Sequence, residues 1–129
     1  MATESAVIDA SSGIRASITD GWQALRRWKL VTPSLFWSEA AAGIRQLSFR
    51  GDITGAEADD ALGRLLAAPV ETVPSRDLVA DASALAAQLG WPKTYDAEFV
   101  VLARRLDIPL LTVDGRLAST ASRFVRLLQ

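Results

Sequence analysis

The chain has 129 residues, half of them apolar, with 14 basic against 15 acidic side chains and a formal charge of −1. That length suits one domain, with apolar residues enough for a core that needs no disulfide or structural zinc. Cysteine and histidine are both absent, which excludes zinc–thiolate sites, thiol catalysis, a Ser-His-Asp triad and any histidine general base. Chemistry has to run on carboxylates, hydroxyls, Arg, Lys or a bound metal.

The near-zero balance also excludes a generally basic nucleic-acid coater. Its distribution is uneven. Residues 1–50 and 91–129 each carry a small basic excess, whereas 51–90 hold Asp52, Glu57, Asp59, Asp60, Glu71, Asp77 and Asp81 against Arg64 and Arg76. The opening Met1-Ala2-Thr3-Glu4-Ser5 has no basic stretch and no apolar run after it, so no secretory leader is expected. No apolar run approaches the ~20 residues of a membrane span. With no cysteine, the expected location is cytoplasmic.

In chain order, Ala6 to Ile8 reads as a short buried strand, and Asp9-Ala10-Ser11-Ser12-Gly13 as the turn after it. Helical stretches follow around Ile14–Ile18 and Trp22–Trp28. Leu30-Val31-Thr32 is a second strand, closed by Pro33. Ser34 is placed to N-cap a long helix to about Phe49. Thr54-Gly55-Ala56-Glu57 is a capping box; its helix carries Ala58, Leu62, Leu65 and Leu66 on one face and stops at Pro69. Val70 to Val73 is a third strand. Pro74-Ser75 opens a helix with Leu78, Val79, Ala82, Leu85, Ala86 and Leu89 at helical spacing, ended by Gly90. Thr94 caps another, with Tyr95, Phe99, Leu102 and Leu106 as its inner stripe. Leu110 to Val113 is a fourth strand, then a short helix runs from Arg116 to about Ser122, and Val125 to Leu128 is the last strand. Short apolar strands separated by helices predict an α/β fold with a parallel sheet covered on both faces. No repeat or linker interrupts residues 1–129, which are expected to form a single domain.

Four acids stand where a structural role gains little from a charge. Asp9 and Asp114 each end an apolar strand, and Glu39 and Asp96 enter apolar helices near their starts. In open parallel sheets, ligands bind beyond the carboxyl ends of the strands, at a switch in strand order. Two acids after strands and two on early helix turns aim their oxygens at that edge. Each like-charged pair there costs about 4 kcal/mol at ~4 Å and an effective dielectric of ~20. A divalent cation with oxygen ligands removes that cost, and Mg²⁺ or Mn²⁺ is the natural choice. The chain therefore reads as a metal-dependent phosphodiester hydrolase. Taken singly, Asp9 is also a normal N-cap, Asp96 a helix-dipole acid and Asp114-Gly115 a plain turn.

Val7-Ile8-Asp9-Ala10-Ser11 resembles the opening of PIN-domain ribonucleases, specifically the VapC-type toxins of toxin–antitoxin pairs. Pro33-Ser34-Leu35-Phe36-Trp37-Ser38-Glu39, with Ala40-Ala41 and Ile44-Arg45, is similar to the next segment of that family. Thr94-Tyr95-Asp96-Ala97, then Leu102-Ala103, and Pro109 to Asp114 with Arg116-Leu117-Ala118 complete the likeness, which runs over nearly the whole chain. The resemblance implies a PIN-like α/β/α sandwich around a short parallel sheet of about five strands. It implies a Mg²⁺- or Mn²⁺-dependent endoribonuclease, a homodimer and a cognate VapB-type antitoxin. It places Asp9, Glu39, Asp96 and Asp114 as the acidic, metal-holding constellation. Two departures stand out: Ala42-Gly43 where an Asn is frequent, and Ser12-Gly13 where a bulkier apolar pair is usual.

Metal-assisted hydrolysis by water would leave a 5′-phosphate and a 3′-hydroxyl, with one or two cations. Ser11 and Thr112 are in reach of the acids in sequence, or are simply turn and strand hydroxyls. Arg15, Arg45 and Arg116 are candidates for RNA phosphates, although a solvated surface arginine is commoner. Tyr95 is expected in the core, and most of Trp22, Trp28, Trp37 and Trp91 in core or interface. The competing reading is a PIN-like module that binds RNA or protein without turnover. A phospho-receiver domain needs a suitably placed lysine, which neither Lys29 nor Lys93 provides, and a DNA-directed nuclease is a third option.

Overall fold

The computed structural model describes residues 4–128; Met1–Thr3, part of the segment on which the leader expectation rests, and Gln129 lie outside the described residues. Five strands, β1 (Glu4–Ile8), β2 (Trp28–Pro33), β3 (Val70–Val73), β4 (Leu110–Leu111) and β5 (Leu127–Leu128), form one sheet in the order β3-β2-β1-β4-β5. Every pair is parallel. The helices are α1 (Ala10–Thr19), α2 (Leu35–Phe49), α3 (Gly55–Ala67), α4 (Val79–Leu89), α5 (Tyr95–Leu106) and α6 (Gly115–Ala121). Right-handed crossovers put α1 to α3 on one face and α4 to α6 on the other. The packing agrees: α1, α2 and α3 lie on one another, and α4 packs on α5, which in turn covers β1, β2 and β4.

The core follows from this layering. Val7, Ile8 and Leu110 of the central strands are buried, sandwiched between Phe36 and Leu65 on one side and Phe99 and Leu102 on the other. Each such side chain contributes roughly 1.5–3 kcal/mol on burial. Helix α5 is buried from Ala97 through Ala103 because the sheet and its neighbouring helices enclose it. Its ends are not, so Tyr95 and Leu106 are exposed rather than part of an inner stripe. On α3 the buried face is Ala58, Ala61 and Leu65, and Leu62 and Leu66 face outward.

Several local expectations change. Ala10 to Gly13 is the first turn of α1, since the Asp9 carboxylate accepts from Ser12 N at 3.0 Å and caps the helix directly. Trp22–Leu25 is a single 3₁₀ turn, and Trp28 is claimed by the sheet through its pairing with Glu4. Ser34 and Thr94 both have helical backbone angles and make no side-chain cap. The first amide of α2 is instead capped from far along the chain, by the Ser75 hydroxyl at 3.2 Å from Leu35 N. Ser75 itself lies in a 3₁₀ turn, Ser75–Asp77, before α4 begins at Val79. The Thr54–Glu57 capping box and the left-handed Gly90 at the end of α4 are as expected. Among the described residues, no helix is long and apolar enough to cross a membrane.

Candidate active site

The chain runs from β1 outward to β2 and β3, then returns to β4 on the other side of β1. The switch in strand order therefore lies between β1 and β4, where a cleft opens at their carboxyl ends. Register decides what meets there. Ile8 pairs with Leu111, and Asp9 N continues the ladder onto Leu111 O at 3.1 Å. This brings Asp9 beside Thr112, whose hydroxyl donates to Asp9 Oδ2 at 2.5 Å. Ser11 Oγ donates to both carboxylate oxygens of Asp9, at 2.8 and 2.9 Å. Thr112 Oγ1 also accepts from Asp114 N at 3.1 Å. The two hydroxyls thus tie the end of β1 to the loop after β4.

Asp114 caps α6, with Oδ1 accepting from Arg116 N at 2.9 Å and Leu117 N at 3.3 Å. The capping roles of Asp9 and Asp114 hold their carboxylates at the sheet edge and do not remove them from it. Glu39, on the second turn of α2, and Asp96, at the start of α5, complete the set. Glu39, Asp96 and Asp114 line a cleft of about 580 Å³ together with Trp91, Lys93, Tyr95 and Arg116.

The acids sense one another. Glu39 is raised to about 7, first by burial and then by the negative charges of Asp96, Asp9 and Glu98. Asp96 is raised by desolvation and by Asp114 and Asp9, with Arg116 pulling the other way. Asp9 is almost wholly buried, and that burial raises it against the hydrogen bonds from Thr112, Ser12 and Ser11. The fold therefore gathers more negative than positive charge at one edge, with Arg116 opposing it at Asp96.

The PIN domain family profile matches residues 7–122. This chain belongs to the PIN-domain family. Its VapC-type character rests on relatives of nearly equal length. The chain is 34% identical over 116 residues to the VapC ribonuclease Mb0985 of Mycobacterium bovis, covering 88% of this chain and 89% of that one. The same figures hold for Ribonuclease VapC9 of Mycobacterium tuberculosis. In fold it is similar to the crystal structure of PAE2754 from Pyrobaculum aerophilum, with a TM-score of 0.75 at 21% identity over 97% of this chain and 85% of that one. The PilT N-terminus domain protein SSO1118 from Sulfolobus solfataricus P2 is more distant, at a TM-score of 0.52 and 15% identity.

Not every residue singled out in the sequence enters this PIN-domain cleft. Arg116 lines it, but Arg45 does not, and Arg15 borders a separate small apolar pocket beside Leu111 and Val113. Tyr95 is about half exposed at the cleft wall, not in the core, because it precedes the buried part of α5. Trp91 lines the cleft too, whereas Trp37 and Trp22 have structural bonds, to Thr72 Oγ1 at 2.9 Å and Ser17 Oγ at 3.2 Å. Sequence reasoning missed Glu98. It is buried, its Oε1 has no hydrogen-bond partner, and it adds negative charge at Glu39. Its signal was present: an acid two residues past Asp96, inside an otherwise apolar helical segment.

The donor set is all oxygen and carries excess negative charge, which fits a hard divalent cation. Among the described residues no three acids converge tightly enough to form a ready-made cage. That spread still suits Mg²⁺, which keeps several waters and takes only one or two protein carboxylates.

Proposed function

We propose that this chain is a metal-dependent endoribonuclease that hydrolyses RNA phosphodiester bonds and acts as the toxin of a VapB–VapC pair. The supporting observation is the meeting of Asp9, Glu39, Asp96 and Asp114 at the switch-point edge, each in the electrostatic reach of another. Membership in a family with VapC ribonucleases among its members supports the substrate class.

In this reading one or two Mg²⁺ or Mn²⁺ ions would be held among Asp9, Glu39, Asp96 and Asp114, each by only part of the set, and would supply an activated water and offset charge on the phosphoryl oxygens. Asp9 is the fixed member, locked by Ser11, Ser12 and Thr112. Glu39, raised to about 7 by burial and the neighbouring acids, is the member whose ionisation a bound cation would favour most. Lys93 and Arg116 flank the acids and orient the RNA phosphates, and Tyr95 and Trp91 offer aromatic surface to a base. Arg15 and Arg45 lie outside this arrangement. A cytoplasmic setting, a VapB-type antitoxin partner and a homodimer belong to the same proposal.

The test is cleavage of a mixed cellular RNA pool by the purified chain with Mg²⁺, Mn²⁺ or EDTA, beside Asp9→Asn. Discrete products that require metal and vanish in the variant are expected. Cleavage indifferent to EDTA and to the variant would sink the assignment, and no cleavage by antitoxin-free protein would favour a binding module.

A further inference from the structure

Both helices that frame the acidic cleft with their N-terminal turns frame a second cleft with their C-terminal ends. It measures about 410 Å³ and is lined by Arg104 and Asp107 at the end of α5, and by Ser122, Arg123, Phe124 and Arg126 after α6. The guanidiniums of Arg104 and Arg123 both lie over the ring of Phe124, at 5.8 and 5.6 Å from its centroid. Arg126 donates to Asp107 O at 3.3 Å. Among the described residues none of these three arginines has a carboxylate within ion-pair distance. Arg105, one residue along, is paired with Asp81 at 2.8 Å, so acids were available to this helix end. A helix C-terminus favours a cation, which accounts for one arginine per helix but not for the stacking of Arg104 and Arg123 on one ring with Arg126 lining the same cleft. Converging, unpaired guanidinium forks suit a phosphate-bearing polyanion.

We propose that this arginine cleft is an RNA-binding site remote from the scissile bond, holding the backbone of the substrate strand. The inference rests on the ribonuclease reading and deepens it. From Asp96 to Arg104 along α5 is eight residues, about 12 Å at ~1.5 Å rise each. A strand at about 3.4 Å per nucleotide covers that in roughly three to four nucleotides. Both helices run in the same direction between parallel strands, so the path from acids to arginines follows the α5–α6 side of the molecule. Substrates long enough to span it gain affinity; shorter ones do not.

The probes are a fluorescein-labelled single-stranded RNA dodecamer and a trimer, bound to the full chain carrying Asp9→Asn so that no cleavage intervenes. Adding Arg104→Gln with Arg123→Gln should weaken dodecamer binding roughly tenfold and lower the salt slope by about 0.7 per lost phosphate contact. A trimer, whose two steps reach only about 7 Å of that path, should lose less affinity than the dodecamer. Arg126→Gln alone, which leaves the Phe124 stack intact, should lower the slope by about one contact and serves if the double variant fails to fold by thermal melting. Unchanged dodecamer affinity and slope in these variants would overturn the proposal. So would a glutamate-rich peptide binding the same arginines more tightly than RNA, which would make this a protein-docking site. If the dodecamer binds but ignores the arginines while the wild-type chain cleaves RNA, only the remote site fails; absence of both binding and cleavage removes the ribonuclease reading as well.

Discussion

The ring of Phe36 fills the space that a side chain on Gly13 would need: a Cβ there would lie 2.6 Å from both Cε1 and Cζ of Phe36. The exchange is reciprocal, since a Cβ on Gly43 of α2 would collide with Ile14 Cδ1 of α1. Each helix gives up a side chain where the other inserts one. The two departures from the family pattern, Gly13 and Gly43, are therefore a packing pair. Their close approach sets the helix that carries Glu39 beside the one capped by Asp9.

Gly13→Ala should destabilise the chain by about 1–3 kcal/mol, as overpacking in a tight core does. Phe36→Leu in the same chain should recover part of that loss, a coupling read by a double-mutant cycle in urea. Gly43→Ala should cost less, because the end of an isoleucine side chain can turn away. Additive effects for Gly13 and Phe36 would show that the contact is not the cause.

Thr112 and Ser11 both donate to Asp9, which makes them positioning residues in the proposed mechanism. Thr112→Val removes the 2.5 Å bond to Asp9 and the link to Asp114 N, and should lower metal affinity or cleavage by about 10–100-fold. Thr112→Ser should restore most of it. Calorimetric titration of Mn²⁺ separates this from a folding defect. Equal metal affinity in Thr112→Val and the wild type would contradict the positioning role.

Glu39 makes stability depend on pH. Its carboxyl is raised from an ordinary 4.5 to about 7, so the folded state binds this proton more tightly than the unfolded chain. The resulting stabilisation is fully present below about 4.5 and is lost as pH rises through about 7. Without metal, the melting temperature should fall across that window, by well under the roughly 3.4 kcal/mol that such a shift would give a fully buried group, because Glu39 is half-buried and solvent screens it. Asp9 and Asp96 shift in the same direction and add to it. Glu39→Gln should flatten the fall, and Mg²⁺ should raise the melting point at neutral pH. A slope that survives Glu39→Gln intact would assign it to other groups.

Ser75 joins two elements distant in sequence. Its hydroxyl accepts from Leu35 N and from Ser34 Oγ, while its amide donates to Ser34 Oγ at 2.8 Å. Ser75→Ala should cost about 1–2 kcal/mol, the scale of a lost cap. Hydrogen exchange at the Leu35 amide should rise with it. A variant as stable as the wild type, with Leu35 still protected, would show that solvent caps α2 as well.

The interleaving of short apolar strands with helices was enough to read the α/β class, the five strands and the acids that end them. Those signals are local: Ala6 to Ile8 leads into Asp9, and Thr54 and Glu57 cap one turn within four residues. Relations across the fold were not written in any window of sequence. That Thr112 rather than another hydroxyl holds Asp9 follows from the Ile8–Leu111 register. That Ser75 caps α2 while Ser34 does not follows from where β3 ends beside β2. Tyr95 leaves the core because helix α5 is enclosed only from Ala97 onward, and Glu98 enters it for the same reason. Local composition sets which elements form; strand register and the packing of helices on the sheet decide which side chains meet, because those contacts join residues far apart along the chain.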